Sequence, residues 1–205
     1  MNWQLNKIQF PVYNLGEGTR IGIWVQGCNL GCKGCLNQAI WGMTGGKSIS
    51  LLDVFNWIFS LQNDFDGITI SGGEPFQQYE QLITFLHLVK TKTKLNIYCF
   101  SGYYLKELIE LFPDKLFLKY IDTLVDGRYI EEQHENSNLK GSTNQTIYKI
   151  VNGVPIVENK TEVLNKWSVK VRHDNQIYMA GIPKKGELRD LCSELLKKGI
   201  IKQFR

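Results

Sequence analysis

Between residues 20 and 112 the chain alternates strand-like, loop-like and helix-like segments at least three times, and this limits its fold more than any other feature. Arg20 to Val25, Gly67 to Ser71 and Leu95 to Phe100 are short apolar runs of the kind that form buried strands. Between the first two, Leu51, Val54, Phe55, Ile58 and Leu61 recur at helical spacing, with Ser50 and Asp53 marking the start. Leu82, Phe85, Leu86 and Val89 predict a second helix. Leu105, Leu108, Ile109 and Phe112 predict a third, stopped by Pro113. Strands that alternate with helices build a parallel sheet with crossover helices. The expected class is therefore α/β, a mostly parallel open sheet with outer helices. Gln4 to Phe10 predicts an edge strand closed by Pro11, and Ile121 to Val125 a further strand. Ile147 to Val151 and Ser168 to Val171 carry weaker strand signals, and Glu187 to Lys198 predicts a final amphipathic helix.

Such sheets place ligands beyond the C-terminal ends of their strands. Three polar or glycine-bearing loops occupy that position: Gln26 to Asn37, Ser71 to Pro75 and Ser101 to Tyr104. The first carries Cys28, Cys32 and Cys35 in a C-x3-C-x2-C spacing. Three thiolates are one short of a closed zinc site or of an iron–sulfur cluster sealed by protein. The spacing therefore suggests a cubane cluster with one iron left open to a small molecule. In the second loop, Gly72 and Gly73 let backbone approach a ligand closely, and Glu74 is placed to accept hydrogen bonds or pair with an ammonium. A strand-ending turn followed by a helix-starting Pro75 is the plainer reading of the same residues.

Composition narrows the remaining choices. With 205 residues, 43% of them apolar, one core and one domain are expected. A net charge of +4 is too mild to argue for a nucleic-acid partner, and Lys90, Lys92 and Lys94 read as a solvated helix end. No run approaches the ~20 apolar residues of a membrane span, and no signal-like segment opens the chain. The clustered cysteines do not form a secreted disulfide framework, so a reducing cytoplasm is expected. Cys99 and Cys192 read as small buried hydrophobes, His87 as a packing or surface residue, and His134 and His173 as exposed loop histidines. Gly45-Gly-Lys-Ser48 is not a phosphate-binding loop, because three residues rather than four separate Gly42 from Gly46.

The cysteine loop followed by Gly-Gly-Glu-Pro resembles the radical S-adenosylmethionine enzymes. Gly67 to Phe76, Thr123 to Tyr129 and Lys140 to Gln145 are similar to segments of the anaerobic ribonucleotide reductase activating enzymes, so the likeness spans residues 15 to 150. The resemblance implies a partial (β/α) barrel, with residues 151 to 205 completing the barrel, covering the site or binding a partner. It implies a 4Fe–4S cluster on Cys28, Cys32 and Cys35, with S-adenosylmethionine on the open iron. Gly34 and Leu36 would lie against the adenine, and Gly72, Gly73 and Glu74 would hold the methionine amino end. Ser101 would reach the ribose or carboxylate. Asp126 and Arg128 would form an acidic–basic pair near the cofactor carboxylate, although an exposed strand-end charge also accounts for Arg128. Asn144 would either cap a turn or read the adenine edge. The implied partners are a larger glycyl-radical protein and an electron donor such as flavodoxin or ferredoxin. A radical enzyme acting on a small molecule or peptide, and a non-catalytic iron–sulfur electron-transfer or sensor protein, stand as alternatives.

Overall fold

The computed structural model describes residues 1–61, 65–135, 139–159, 167–171 and 177–200. Its main sheet takes strands β1 (Asn2–Val12), β2 (Arg20–Val25), β3 (Lys47–Ser50), β4 (Gly67–Gly72), β5 (Asn96–Phe100), β6 (Thr123–Asp126), β7 (Thr146–Val151) and β8 (Val154–Val157). Their order across the sheet is β3-β1-β2-β4-β5-β6-β7-β8. The central strands β2, β4, β5 and β6 are parallel, and antiparallel strands flank them on both sides. Helices α1 (Leu51–Ser60), α2 (Tyr79–Lys92), α3 (Leu105–Leu111) and α4 (Phe117–Tyr120) fill the connections. A separate hairpin of β9 (Trp167–Val171) and β10 (Ile177–Gly181) precedes α5 (Glu187–Lys197).

Strand side chains alternate between two apolar layers, as the period of two requires. Ile21, Ile23, Ile68, Ile70, Ile97 and Leu124 share one core with buried residues of α1 to α4, including Val54, Phe85, Leu108 and Phe117. Trp24, Tyr98, Phe100 and Val125 face the other way into two smaller clusters. The helices therefore cover one face and leave the other to enclose a cavity. On that inner face the buried Arg20 guanidinium bonds Thr69 and the Ile68 carbonyl and lies 4.1 Å from the centre of the Tyr98 ring.

The sequence-based expectations hold for the strand–helix alternation and fail at β1. That strand is not an edge and does not stop at Pro11: it runs to Val12, and β3 pairs with its outer side. Pro11 is accommodated at an irregularity in the β1–β2 register between Gln9 and Val12. Helix α1 begins after Ser50 as expected, but the Ser50 side chain makes no capping bond. Lys166, Arg172 and His173 lie outside the described residues. Among the described residues no helix is long and apolar enough to cross a membrane.

Candidate metal and cofactor centre

The loop after β2 is closed at its root by backbone bonds from Gly27 N to Ile40 O (2.9 Å) and Cys28 N to Trp41 O (3.0 Å). Gln26 reinforces the closure: its amide donates to the Gly42 carbonyl at 2.6 Å, while its own carbonyl accepts from Gln78. Residues 28 to 40 therefore leave the sheet as one tied loop, and Cys28, Cys32 and Cys35 stand half-buried on one wall of a cavity. Burial raises the Cys28 and Cys32 thiols above their ordinary pKa. Backbone hydrogen bonds oppose it, and the Asn37 N–H also points at Cys35 Sγ (3.4 Å).

The Gly-Gly-Glu turn crosses the root of this loop. Gly73 N donates to Val25 O and Glu74 N to Gly27 O, both at 2.9 Å. A Cβ at Gly73 would overlap the Gly27 carbonyl, and one at Gly72, where φ is +115°, would overlap the Val25 backbone. The close approach that these glycines permit is thus to the end of β2 at Gly72 and to the cysteine loop at Gly73. Gly73 also lines the cavity, whereas Gly72 does not. Glu74 is 1% exposed. Its Oε1 accepts from Phe76 N (3.0 Å) and Ser101 Oγ (3.0 Å), and its Oε2 accepts from Gly102 N (2.7 Å). An ionised carboxylate has about four acceptor positions, so three are filled and one remains on Oε2. Burial pushes the Glu74 carboxyl up to about 7, against the pull of these donors and the more distant Arg128. The plainer reading is also realised, since Glu74 caps the 3-10 turn Pro75–Gln78.

Other expected site residues hold different posts. The Ser101 hydroxyl lines the cavity, donates to Glu74 and accepts from Tyr103 N, which leaves it one acceptor lone pair. Asp126 is 1% exposed and accepts from Leu105 N and Thr146 N, joining α3 to β7 rather than pairing with Arg128. Arg128 instead bonds Glu107 at 2.6 Å beside the rings of Tyr103 and Tyr104. The acidic partner is Glu107 on α3, and both Asp126 carboxylate oxygens are already taken by backbone N–H groups. Asn144 acts as a brace, donating to the Arg128 carbonyl and the Tyr104 hydroxyl. Gly34 does not line the cavity: it turns the loop at φ +73° with Glu131 against it. Leu36 lines the cavity and is 47% exposed at its rim.

Much of the cavity lining escaped sequence reasoning, including Tyr129 and His134, the latter expected to be an exposed loop residue. These two are joined by a 3.0 Å contact from Tyr129 OH to His134 Nδ1. Their only sequence signal is proximity to Asp126 and Arg128, because His134 sits in a polar stretch without periodicity.

The residues fit a cluster. No fourth cysteine lines the cavity, and both His134 ring nitrogens are engaged, by Tyr129 and by the Pro183 carbonyl at 3.2 Å. Iron would supply positive charge that the half-buried thiolates otherwise find only in Arg128, near Cys32. Among the described residues no three His, Cys, Asp or Glu side chains gather as a single ion needs. A four-iron cube does not require such gathering, because it takes its thiolates at separate corners.

Comparison with known proteins agrees with this geometry. Residues 14–148 match a family described as a 4Fe-4S single cluster domain. An anaerobic ribonucleoside-triphosphate reductase-activating protein of Haemophilus influenzae is 36% identical over 141 residues, covering 65% of this chain and 90% of that protein. One of Vibrio cholerae is 35% identical over 142 residues, with the same coverage of both chains. A pyruvate formate-lyase-activating enzyme of Clostridium pasteurianum is 38% identical over 79 residues, 37% of this chain and 33% of that protein.

Proposed function

The chain belongs to the 4Fe–4S single-cluster family and to its radical S-adenosylmethionine activating enzymes, and we propose that it installs a glycyl radical on an anaerobic ribonucleotide reductase-like partner. One observation carries the reading. Three half-buried thiols and a buried carboxylate with one acceptor position left stand on a single cavity that no fourth cysteine lines. Bound there, the reduced cluster supplies the electron that splits S-adenosylmethionine into methionine and a 5′-deoxyadenosyl radical, which takes a hydrogen atom from the substrate.

The chain's own residues hold, orient and shield. Cys28, Cys32 and Cys35 would each take one iron. The free position on Glu74 Oε2 suits an N–H of the cofactor amino group, which would donate to it while the nitrogen lone pair faces the open iron. Ser101 and Gly102 N hold that carboxylate in place, and Gly73 fixes its distance from the cysteine loop by pressing on Gly27. Leu36 gives the rim an apolar surface for the adenine. Residues 15 to 150 would then be the catalytic core of a partial barrel, and residues 151 to 205 its cover. A cytoplasmic enzyme reduced by flavodoxin or ferredoxin completes the proposal.

The test is anaerobic reconstitution followed by dithionite and S-adenosylmethionine. Release of 5′-deoxyadenosine, and a carbon-centred doublet by electron paramagnetic resonance once an anaerobic reductase is added, are expected. A well-loaded cluster that releases no 5′-deoxyadenosine would return the chain to the electron-transfer or sensor class. Release without a doublet, alongside turnover of a small molecule or peptide, would reject the reductase partner.

A further inference from the structure

The geometry points to residues Met179 to Pro183 as a built-in outer wall of the cofactor cavity, pinned from both sides of the sheet's open face. This inference rests on the cofactor reading above. Met179, Ala180, Gly181 and Ile182 line the same cavity as the three cysteines and Glu74. They lie well past residue 148, where the family match ends. The Haemophilus influenzae relative is matched over 90% of its length by only 65% of this chain, so the wall is an addition to the shared core.

The anchors come from opposite ends of the sheet. On the β1 side, Lys7 Nζ donates to the Met179 carbonyl at 3.1 Å and Asn14 Nδ2 to the Ala180 carbonyl at 2.6 Å. Ala180 itself is buried with Val12, Leu15 and Trp24. On the side of the β6–β7 connection, His134 Nε2 meets the Pro183 carbonyl at 3.2 Å. A carbonyl only accepts, so this contact fixes the proton on Nε2 of the neutral ring and leaves Nδ1 to accept from Tyr129 OH. Three side chains from separate elements thus converge on carbonyls of one five-residue stretch. Each anchor residue is positioning rather than catalytic: it acts by holding backbone across the cavity. The consequence is exclusion of water from a site whose chemistry demands it.

The test uses the full chain with Asn14→Asp and His134→Phe combined. Asn14→Asp keeps the shape but turns the donor into an acceptor facing a carbonyl. A companion carries Asn14 unchanged with His134→Gln, whose amide nitrogen can replace the Nε2 donor. First, amide hydrogen exchange is measured on the metal-free chains. Exchange at Met179 to Ile182 should rise about tenfold or more in the double variant and stay near native in the His134→Gln chain. Second, S-adenosylmethionine affinity is measured by equilibrium dialysis on reconstituted protein. It should fall about tenfold in the double variant at unchanged iron content, and recover in the companion. Faster exchange with undiminished affinity would overturn the wall, as would native protection in the double variant. A native chain that loads iron yet binds no cofactor would overturn the parent reading, and that failure shows in the native control rather than between variants.

Discussion

Glu74→Gln isolates the buried carboxylate on which the cofactor reading turns. In the folded chain this carboxyl stands at about 7 instead of 4.5, chiefly because burial strips water from the ionised form. A folded pKa above the unfolded one means that the native state binds the proton more tightly. Glu74 therefore favours folding at low pH, and its contribution is lost as pH rises through about 7. At about 1.36 kcal/mol per pH unit the full span is about 3 kcal/mol, most of which falls between pH 5 and pH 8. Glutamine is neutral throughout and loses nothing over that window. Urea unfolding of the metal-free chains under reducing, anaerobic conditions should show the variant gaining about 2 to 3 kcal/mol on the native chain from pH 5 to pH 8. The thiols titrate in both chains and cancel in the comparison. Parallel stability curves would refute the reasoning. They would mean that the Glu74 carboxyl is ionised at ordinary acidity in the folded state and is not held neutral by burial.

Three further perturbations separate loading, framework and surface. Cys28→Ala, Cys32→Ala and Cys35→Ala should each reduce iron uptake far below the native value of about four per chain, measured by iron assay and visible absorption after reconstitution. Gly73→Ala should cost about 3 kcal/mol or more, because a methyl group there meets the Gly27 carbonyl rather than a movable side chain; it should also impair cluster loading in the same preparations. Arg128→Ala should cost about 1 kcal/mol or less by urea unfolding, since its ion pair with Glu107 is partly exposed and screened by salt. A larger loss, with cofactor affinity falling alongside, would return Arg128 to the site.

The sequence carried the parallel centre of the fold because β2, β4 and β5 are apolar on both faces and the helices between them have clean apolar spacing. It misplaced β1 because β3 is only four residues, Lys47–Ser50, in a glycine-rich stretch with half-exposed side chains. No periodicity announces such a strand, and without it β1 looks like an edge. The cysteine cluster was legible from its spacing, and the structure places Cys28, Cys32 and Cys35 on one cavity. The partners of Ser101, Asp126 and Asn144 were not legible: each bonds backbone or a protein side chain, while Ser101 also lines the cavity and Asn144 Oδ1 is buried without a partner. Such partners lie 21 to 27 residues away for Asp126 and Ser101, beyond the reach of any local pattern. His134 and the Met179–Pro183 wall depend on a contact across nearly fifty residues of sequence, Nε2 to Pro183 O, that no local pattern encodes.

The central claim is that three thiolates leave one iron open and that the cofactor's amino group takes it. The most direct measurement is electron–nuclear double resonance on the reduced cluster, with and without S-adenosylmethionine labelled at the amino nitrogen. The account predicts a nitrogen coupling that appears with the cofactor and changes with the label. A spectrum indifferent to the cofactor, carrying instead a constant coupling from a protein ligand on the fourth iron, would contradict it.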